Sequence, residues 1–215
     1  FITSTLQQEA IRKLGFTAQW TMRIAQQLYE GIDIGEGSVG LITYMRTDSV
    51  NLAKEALTEI RTFISSRYGK NSLPEEARVF KTKSKNAQEA HEAVRPTSVT
   101  RVPNDIKDSL TDEQFKLYEL IWKRTMASQM KHATIDSVAV DMSCGDGNLF
   151  RANGSSIADP GFMQVYLEGV DDSENKEDDE KMLPQLNEGD KVKLKQIRSE
   201  QHFTEPPPRY SEASL

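Results

Sequence analysis

The sequence is poor in the residues that build disulfide and zinc sites. Its 215 residues include one cysteine, Cys144, and three histidines. A single thiol cannot form an internal disulfide, and the scattered histidines lack the spacing of zinc ligands. Disulfide-stapled domains and zinc modules are therefore excluded.

Long apolar segments are missing as well. Hydrophobic residues make up 37% of the chain, and none of their runs is long enough to span a bilayer. The chain opens on Phe1 without a basic-then-apolar leader, so we expect neither secretion nor a membrane partner, and a cytoplasmic location. There is no Gly-x-x-x-x-Gly-Lys-Ser/Thr loop, so nothing indicates nucleotide hydrolysis.

Charge is distributed unevenly. The net charge of -6 at pH 7 argues against a simple electrostatic DNA-binding protein. Residues 1–130, however, hold 18 Lys and Arg against 16 Asp and Glu, whereas residues 131–215 hold 9 against 17. Any nucleic-acid contact is therefore expected in the first part, although a basic cluster is by itself more often a solvated surface. This basic cluster comprises Arg78, Lys81, Lys83, Lys85, Arg95 and Arg101.

Apolar periodicity predicts a mostly helical domain over residues 4–131. Capping residues and glycines bound its four helices, which are expected at about 4–14, 17–31, 50–67 and 111–130. In the second helix, three large apolar residues at four-residue spacing are expected to face the core: Trp20, Ile24 and Leu28.

The hydrophobic period changes near residue 132. Apolar residues then alternate with polar ones around the Gly145-Asp-Gly147 turn, and Val192 and Leu194 alternate with lysines. This pattern predicts a separate antiparallel β domain over residues 132–205.

Two later segments are assigned no site. The acidic run 171–180 is interpreted as a solvated loop, because no periodicity directs its carboxylates to one point. Residues 206–215 predict a proline-rich hinge followed by the start of a further, truncated domain.

The most informative segment is 40–49, where an apolar run ends in a polar cluster. If residues 41–44 form a short strand, Tyr44 and Arg46 point the same way. A tyrosine hydroxyl needs a nearby positive charge or metal to act as a nucleophile, and a guanidinium can hold two phosphate oxygens at once. The same pattern also fits a strand-end aromatic beside a solvated arginine.

The turn before the third helix adds possible phosphate donors. Backbone N–H groups at a helix N-terminus carry partial positive charge. The turn 46–49 would therefore present donors beside Tyr44. Asp48 could equally be a plain N-cap.

A second polar cluster occupies residues 88–96, Gln-Glu-Ala-His-Glu-Ala-Val-Arg-Pro. In a helical turn, His91 and Arg95 would share one face because they are four residues apart. Without further information, His91 would be an ordinary surface histidine.

These two segments, in this order, resemble the active-site region of bacterial type IA DNA topoisomerases. The resemblance runs over nearly the whole chain, from Phe1-Ile-Thr-Ser-Thr-Leu-Gln7 to Leu215. Met45 favours the topoisomerase I branch, since other branches usually carry proline there.

The resemblance implies that Tyr44 attacks a phosphodiester of single-stranded DNA and forms a 5′-phosphotyrosine link. Arg46 would stabilise the phosphate, and His91 would bind or polarise it. Reversal of this step would relax negatively supercoiled DNA without ATP. Further DNA contacts are implied for Thr47, Asp48, Ser49, Lys83, Lys85, Glu89, Arg95, Arg209 and Ser211.

The resemblance also implies an α+β architecture. The helical domain would be inserted into an antiparallel β domain made of residues 1–3 and 132–205. The family's Mg²⁺ ligands would lie in a preceding domain, and a second helical domain would follow, so we expect no metal site and no activity from this chain by itself. A DNA-binding module without chemistry and a partner-binding domain remain the alternatives.

Overall fold

The computed structural model describes residues 1–35, 37–80, 92–169, 183–184, 186–199, 201, 203–204, 206 and 209–213. The chain divides into two compact units. The first unit contains Phe1–His132, Gly161–Gly169 and Ser211–Leu215, and the second contains Ala133–Pro160 and Val170–Tyr210. The chain therefore passes between the units more than once.

The first unit contains four α-helices within the described residues. They are α1 (Thr3–Leu14), α2 (Ala18–Glu30), α3 (Lys54–Tyr68) and α4 (Asp112–Ser128). The hydroxyl groups of Thr17 and Thr111 cap α2 and α4 by accepting backbone N–H groups. Gly15 ends α1 in the left-handed conformation, with a φ of 68°. No helix in the described part of the chain is both long and apolar enough to cross a membrane.

The core of the first unit includes the chain that leads to Tyr44. Leu41 and Met45 are 0% exposed, and Ile42 is 1% exposed. The Leu41 N–H donates to the Leu28 carbonyl of α2 at 2.7 Å. Burial and this hydrogen bond hold the segment against α2.

One predicted core residue is not in the core. Ile24 and Leu28 are buried, but Trp20 at the start of α2 is 38% exposed. The guanidinium of Arg23 lies 5.3 Å from the centre of the Trp20 ring. The prediction for Trp20 was therefore wrong.

Four strands are present in the described residues. In the first unit, β1 (Ile32–Asp33) pairs with β2 (Ser38–Val39) in the glycine-rich turn after α2. In the second unit, β3 (Thr134–Ser143) and β4 (Leu149–Asp159) form an antiparallel hairpin around the predicted glycine turn. Helices and antiparallel strands together make this an α+β protein.

The predicted strand around Val192 and Leu194 is not found. Residues 191–199 form neither helix nor strand, and these two side chains are 58% and 66% exposed. A strand needs a paired neighbour, and no described residue pairs with this segment. The acidic run 171–180 lies outside the described residues.

Residues 1–3 belong to the first unit, in contrast to the prediction that they extend the β domain. Thr3 is the first residue of α1. The carbonyl of Phe1 accepts the Val94 N–H at 2.8 Å, beside the second polar cluster. The chain start therefore pairs with a segment of the helical unit.

Candidate active site around Tyr44

Exposed and buried side chains alternate over residues 44–49. Tyr44, Arg46 and Asp48 are exposed, whereas the residues between them are buried, as is Ser49. Tyr44 itself is 42% exposed. The alternation brings Tyr44 and Arg46 to solvent together, so a ligand can reach both.

The segment before Tyr44 does not form the predicted strand. Ile42 makes an isolated bridge with Pro96. Around it, the Thr43 N–H donates to the Arg95 carbonyl at 2.9 Å, and the Thr43 hydroxyl donates to the Ala93 carbonyl at 2.8 Å. Residues at the end of the second polar cluster therefore fix the position of the backbone that leads into Tyr44.

The start of α1 fixes the turn that follows Tyr44. The Thr3 hydroxyl donates to the Met45 carbonyl at 2.8 Å and accepts the Thr47 N–H at 2.9 Å. The Thr3 N–H donates to the Thr47 carbonyl at 2.9 Å. Sequence reasoning missed this role of Thr3, since nothing local marks a contact across more than forty positions.

Replacing Thr3 with valine should loosen this turn. The isosteric change removes a hydroxyl and leaves the Thr47 N–H without its partner, so we expect the free energy of unfolding to fall by about 1–3 kcal/mol. Urea unfolding followed by circular dichroism measures the change. Thr58→Val is the matched control, because the exposed Thr58 hydroxyl only donates to Lys54 within α3. Equal unfolding midpoints for the two variants would contradict the role of Thr3.

The ring of Tyr44 lies edge-on to the ring of Tyr29 near the end of α2. Their centroids are 5.3 Å apart, with 63° between the ring planes. Such pairs favour one ring orientation. Tyr29 is 41% exposed, so the two tyrosines form a single aromatic surface.

Arg46 lines an open groove together with the exposed side of α2. The volume of this α2 groove is about 540 Å³. In the described part of the chain, Arg46 has no hydrogen-bond or ion-pair partner, so its guanidinium is available to an anion. The other lining residues are Gln19, Met22, Arg23, Gln26, Gln27 and Glu30.

Thr47 and Ser49 stabilise the turn, and their contacts with DNA stay a prediction. They are 6% and 2% exposed, and the Ser49 N–H donates to the Thr47 hydroxyl at 3.0 Å. The sequence pattern predicts that the turn 46–49 forms the N-terminus of α3. Helix α3 begins only at Lys54, so this prediction was wrong. Asp48 stays exposed but does not cap the helix.

Arg95 is engaged within the protein, and its contact with DNA stays a prediction. Its Nε and Nη2 atoms donate to Glu92 Oε2 at 2.9 and 2.6 Å, and Nη1 donates to the Pro96 carbonyl at 2.9 Å. The other Glu92 oxygen accepts the Ala53 N–H at the start of α3 at 2.7 Å. The pair joins the second polar cluster to α3, and Glu92 is a positioning residue that sequence reasoning missed.

Several predicted site residues cannot be placed beside Tyr44. Lys83, Lys85, Glu89 and His91 lie outside the described residues. Arg209 is exposed in the second unit, and Ser211 is exposed in the first. Within the described ranges, no group of three or more His, Cys, Asp or Glu residues could hold a metal ion.

Two other tyrosines are unsuited to act as nucleophiles. Burial raises the pKa of Tyr118, and its hydroxyl donates to the Arg101 carbonyl at 2.8 Å. Burial also raises the pKa of Tyr166, helped by its hydrogen bond to the Glu9 carboxylate. Both phenols therefore stay protonated and occupied.

The sequence profile of the DNA topoisomerase family matches residues 1–215. The chain therefore belongs to the DNA topoisomerase family. Its relatives include DNA topoisomerase 1 of Xylella fastidiosa, 58% identical over 217 residues, and DNA topoisomerase 1 of Rickettsia bellii, 56% identical over 216 residues. Both alignments cover 100% of this chain and 27% of the relative, so the chain spans about a quarter of their length.

A solved structure agrees with this assignment. Full-length topoisomerase I from Thermotoga maritima superposes with a TM-score of 0.64 at 38% sequence identity. The match covers 80% of this chain and 27% of the Thermotoga chain.

Proposed function

We propose that this chain is the tyrosine-bearing part of a type IA topoisomerase, in which Tyr44 cleaves one strand of DNA. The observation that carries the proposal is the exposed pair Tyr44 and Arg46, whose intervening residue is buried. The relatives named DNA topoisomerase 1 support the substrate class. Single-stranded DNA is the proposed form of the substrate at the site, and negatively supercoiled DNA is the form that is relaxed.

The proposed step is a transesterification at phosphorus. The Tyr44 hydroxyl oxygen loses its proton and forms a bond to the phosphorus, while the bond from phosphorus to the 3′ oxygen breaks. The 3′ oxygen leaves as a hydroxyl after taking up a proton, and the 5′ phosphate stays on the tyrosine. Because one phosphate ester replaces another, the reverse step reseals the strand without ATP.

Arg46 is proposed to stabilise the charge on the phosphate in the transition state. Its planar guanidinium can donate to two non-bridging oxygens at once. It lies in the groove beside α2 and is not held by a described partner. His91 is proposed, from the resemblance, to bind or polarise the same phosphate.

Arg46→Lys in the complete protein should slow cleavage by about 10²-fold, as loss of a transition-state donor does elsewhere. A lysine keeps the charge but cannot reproduce the two-pronged contact. The rate of covalent adduct formation on a labelled single-stranded oligonucleotide measures the effect.

The control for this variant is Arg67→Lys. Arg67 is an exposed arginine that lies 6.0 Å from the centre of the Phe63 ring on α3, outside the α2 groove. A wild-type cleavage rate in Arg46→Lys would mean that Arg46 is merely structural.

Magnesium is proposed to act in the complete protein through ligands outside this chain. A bound Mg²⁺ would offset negative charge on the phosphate. The described residues do not form a site that fits it, so no step is assigned to the metal here. A preceding acidic domain and a following helical domain of the same protein are the proposed partners.

The two units are proposed to be parts of a DNA gate in a cytoplasmic enzyme. The supporting observation is the connectivity, since the chain leaves the first unit after His132 and returns for Gly161–Gly169. A hinge at these crossings would let a second strand pass.

The decisive experiment is to trap the complete protein on labelled single-stranded DNA and to map the linked residue. A covalent link at Tyr44 separates an enzyme from a DNA-binding module without chemistry. A link at another residue would refute the proposal.

A further inference from the structure

The α2 groove runs along the exposed side of α2, and Arg46, two residues after Tyr44, is among its lining residues. Gln19, Arg23, Gln26 and Glu30 are three or four residues apart, so they form one stripe on the helix. The groove volume of about 540 Å³ falls within the range of about 300–1,000 Å³ that ligand pockets occupy. The groove is therefore large enough for parts of a nucleic-acid strand.

The charge of the groove favours an anionic ligand. Arg23 and Arg46 are its cations, and Glu30 is its single carboxylate among the lining residues. One Glu30 oxygen accepts the Gln26 amide N–H at 2.7 Å. This contact gives the Glu30 carboxylate a partner within α2, and the two arginines outnumber the single carboxylate among the lining residues.

The groove also offers amide groups for base edges. Gln27 is tied to α4, because its Oε1 accepts the Gln114 amide at 3.0 Å. Gln19 at the far end is exposed. Amide side chains of this kind donate to and accept from base edges.

Exposed aromatic rings lie on α2 at both ends of this stripe. Trp20 is 38% exposed with the Arg23 guanidinium 5.3 Å from its ring centre, and Tyr29 is 41% exposed against Tyr44. Stacking on such rings binds single-stranded bases of any sequence. Arginines beside aromatic rings are typical of single-strand binding surfaces.

We propose that the α2 groove holds the first nucleotides of the DNA segment whose 5′ phosphate is joined to Tyr44. The inference rests on the proposed function. A covalent link keeps that segment on the unit that carries Tyr44, and the groove belongs to the same unit and shares Arg46 with the phosphate. The released 3′-hydroxyl end has no such bond to this unit.

The first test measures binding of a short, 5′-phosphorylated, fluorescent single-stranded oligonucleotide to this chain. Arg23→Gln should weaken binding about fivefold or more and lower the slope of log affinity against log salt by about 0.7, the value for one lost phosphate contact on a single strand. Arg67→Gln is the matched control, since Arg67 is exposed beside the Phe63 ring but outside the groove. Equal affinities for the two variants would overturn the proposal.

The second test locates the strand. With 5-iododeoxyuridine as the first or second nucleotide after the 5′ phosphate, illumination should cross-link the probe to the peptide that contains residues 18–30. A probe with the same base far from the phosphate should cross-link there less. Cross-links from the first two nucleotides only to other peptides would overturn the proposal.

Failure of the groove and failure of the proposed function are distinguishable. If the complete protein forms its adduct at Tyr44 but Arg23→Gln and Trp20→Leu bind the probe as the wild type does, only the groove assignment is wrong. If no adduct forms at Tyr44, the proposed function and the groove proposal fail together.

Discussion

Tyr44→Phe in the complete protein is expected to abolish covalent attachment to DNA while DNA binding stays nearly intact. The change removes only the attacking hydroxyl oxygen. The phenylalanine ring can keep the edge contact with Tyr29, so the surface that meets DNA is preserved. Loss of a nucleophile costs at least about 10⁴-fold in rate in well-studied hydrolases. Adducts are counted on a denaturing gel, and binding is measured by fluorescence anisotropy on the same oligonucleotide.

Tyr29→Phe is the matched control for this prediction. Tyr29 is as exposed as Tyr44, at 41% against 42%, and its ring belongs to the same aromatic surface. It should retain adduct formation, since its oxygen is not the proposed nucleophile. Adducts that persist in Tyr44→Phe and vanish in Tyr29→Phe would move the chemistry to the neighbouring ring.

Local sequence signals account for the helices and for the exposure of Tyr44. Helix caps such as Thr111 and stops such as Gly15 act on backbone groups within four residues, so their effect can be predicted without the rest of the fold. The predicted two-residue alternation of exposed and buried side chains, which puts Tyr44 and Arg46 on the same exposed side, is also found, although the segment is not a strand.

The parts that were mispredicted depend on contacts between distant residues. Thr3 and Thr47 are 44 positions apart, and Glu92 and Ala53 are 39 apart. These contacts bury the turn after Tyr44 and set the start of α3, neither of which the local pattern of polar residues reveals. Thr47 therefore supports the site from within, and its contact with DNA stays a prediction.

Trp20 shows a limit of periodicity itself. Four residues turn an α-helix by about 40° more than a full turn, so a stripe at four-residue spacing drifts around the helix. Ile24 and Leu28 remain on the buried side, whereas Trp20 falls at its edge and is 38% exposed. The residue that periodicity assigned to the core is thus an exposed ring near the start of α2, beside Arg23.

The chain by itself is expected to bind single-stranded DNA weakly and to fail to relax supercoiled plasmid in the presence of magnesium. It spans 27% of the length of its relatives, and its described residues form no site for a metal ion. Without a metal to offset phosphate charge or an acid for the leaving 3′ oxygen, the reaction loses contributions that are each worth about 10² or more in rate.

Weak binding should fall steeply with added salt, because contacts to the DNA backbone release counterions. A plasmid relaxation assay, run beside a salt titration of a fluorescent oligonucleotide, measures both effects, and the complete protein is the positive control. Relaxation by this chain would mean that its 215 residues contain a complete catalytic site, with the residues outside the described ranges as the first place to look. Binding that does not respond to salt would instead favour stacking on Trp20 and Tyr29 over phosphate contacts with the arginines.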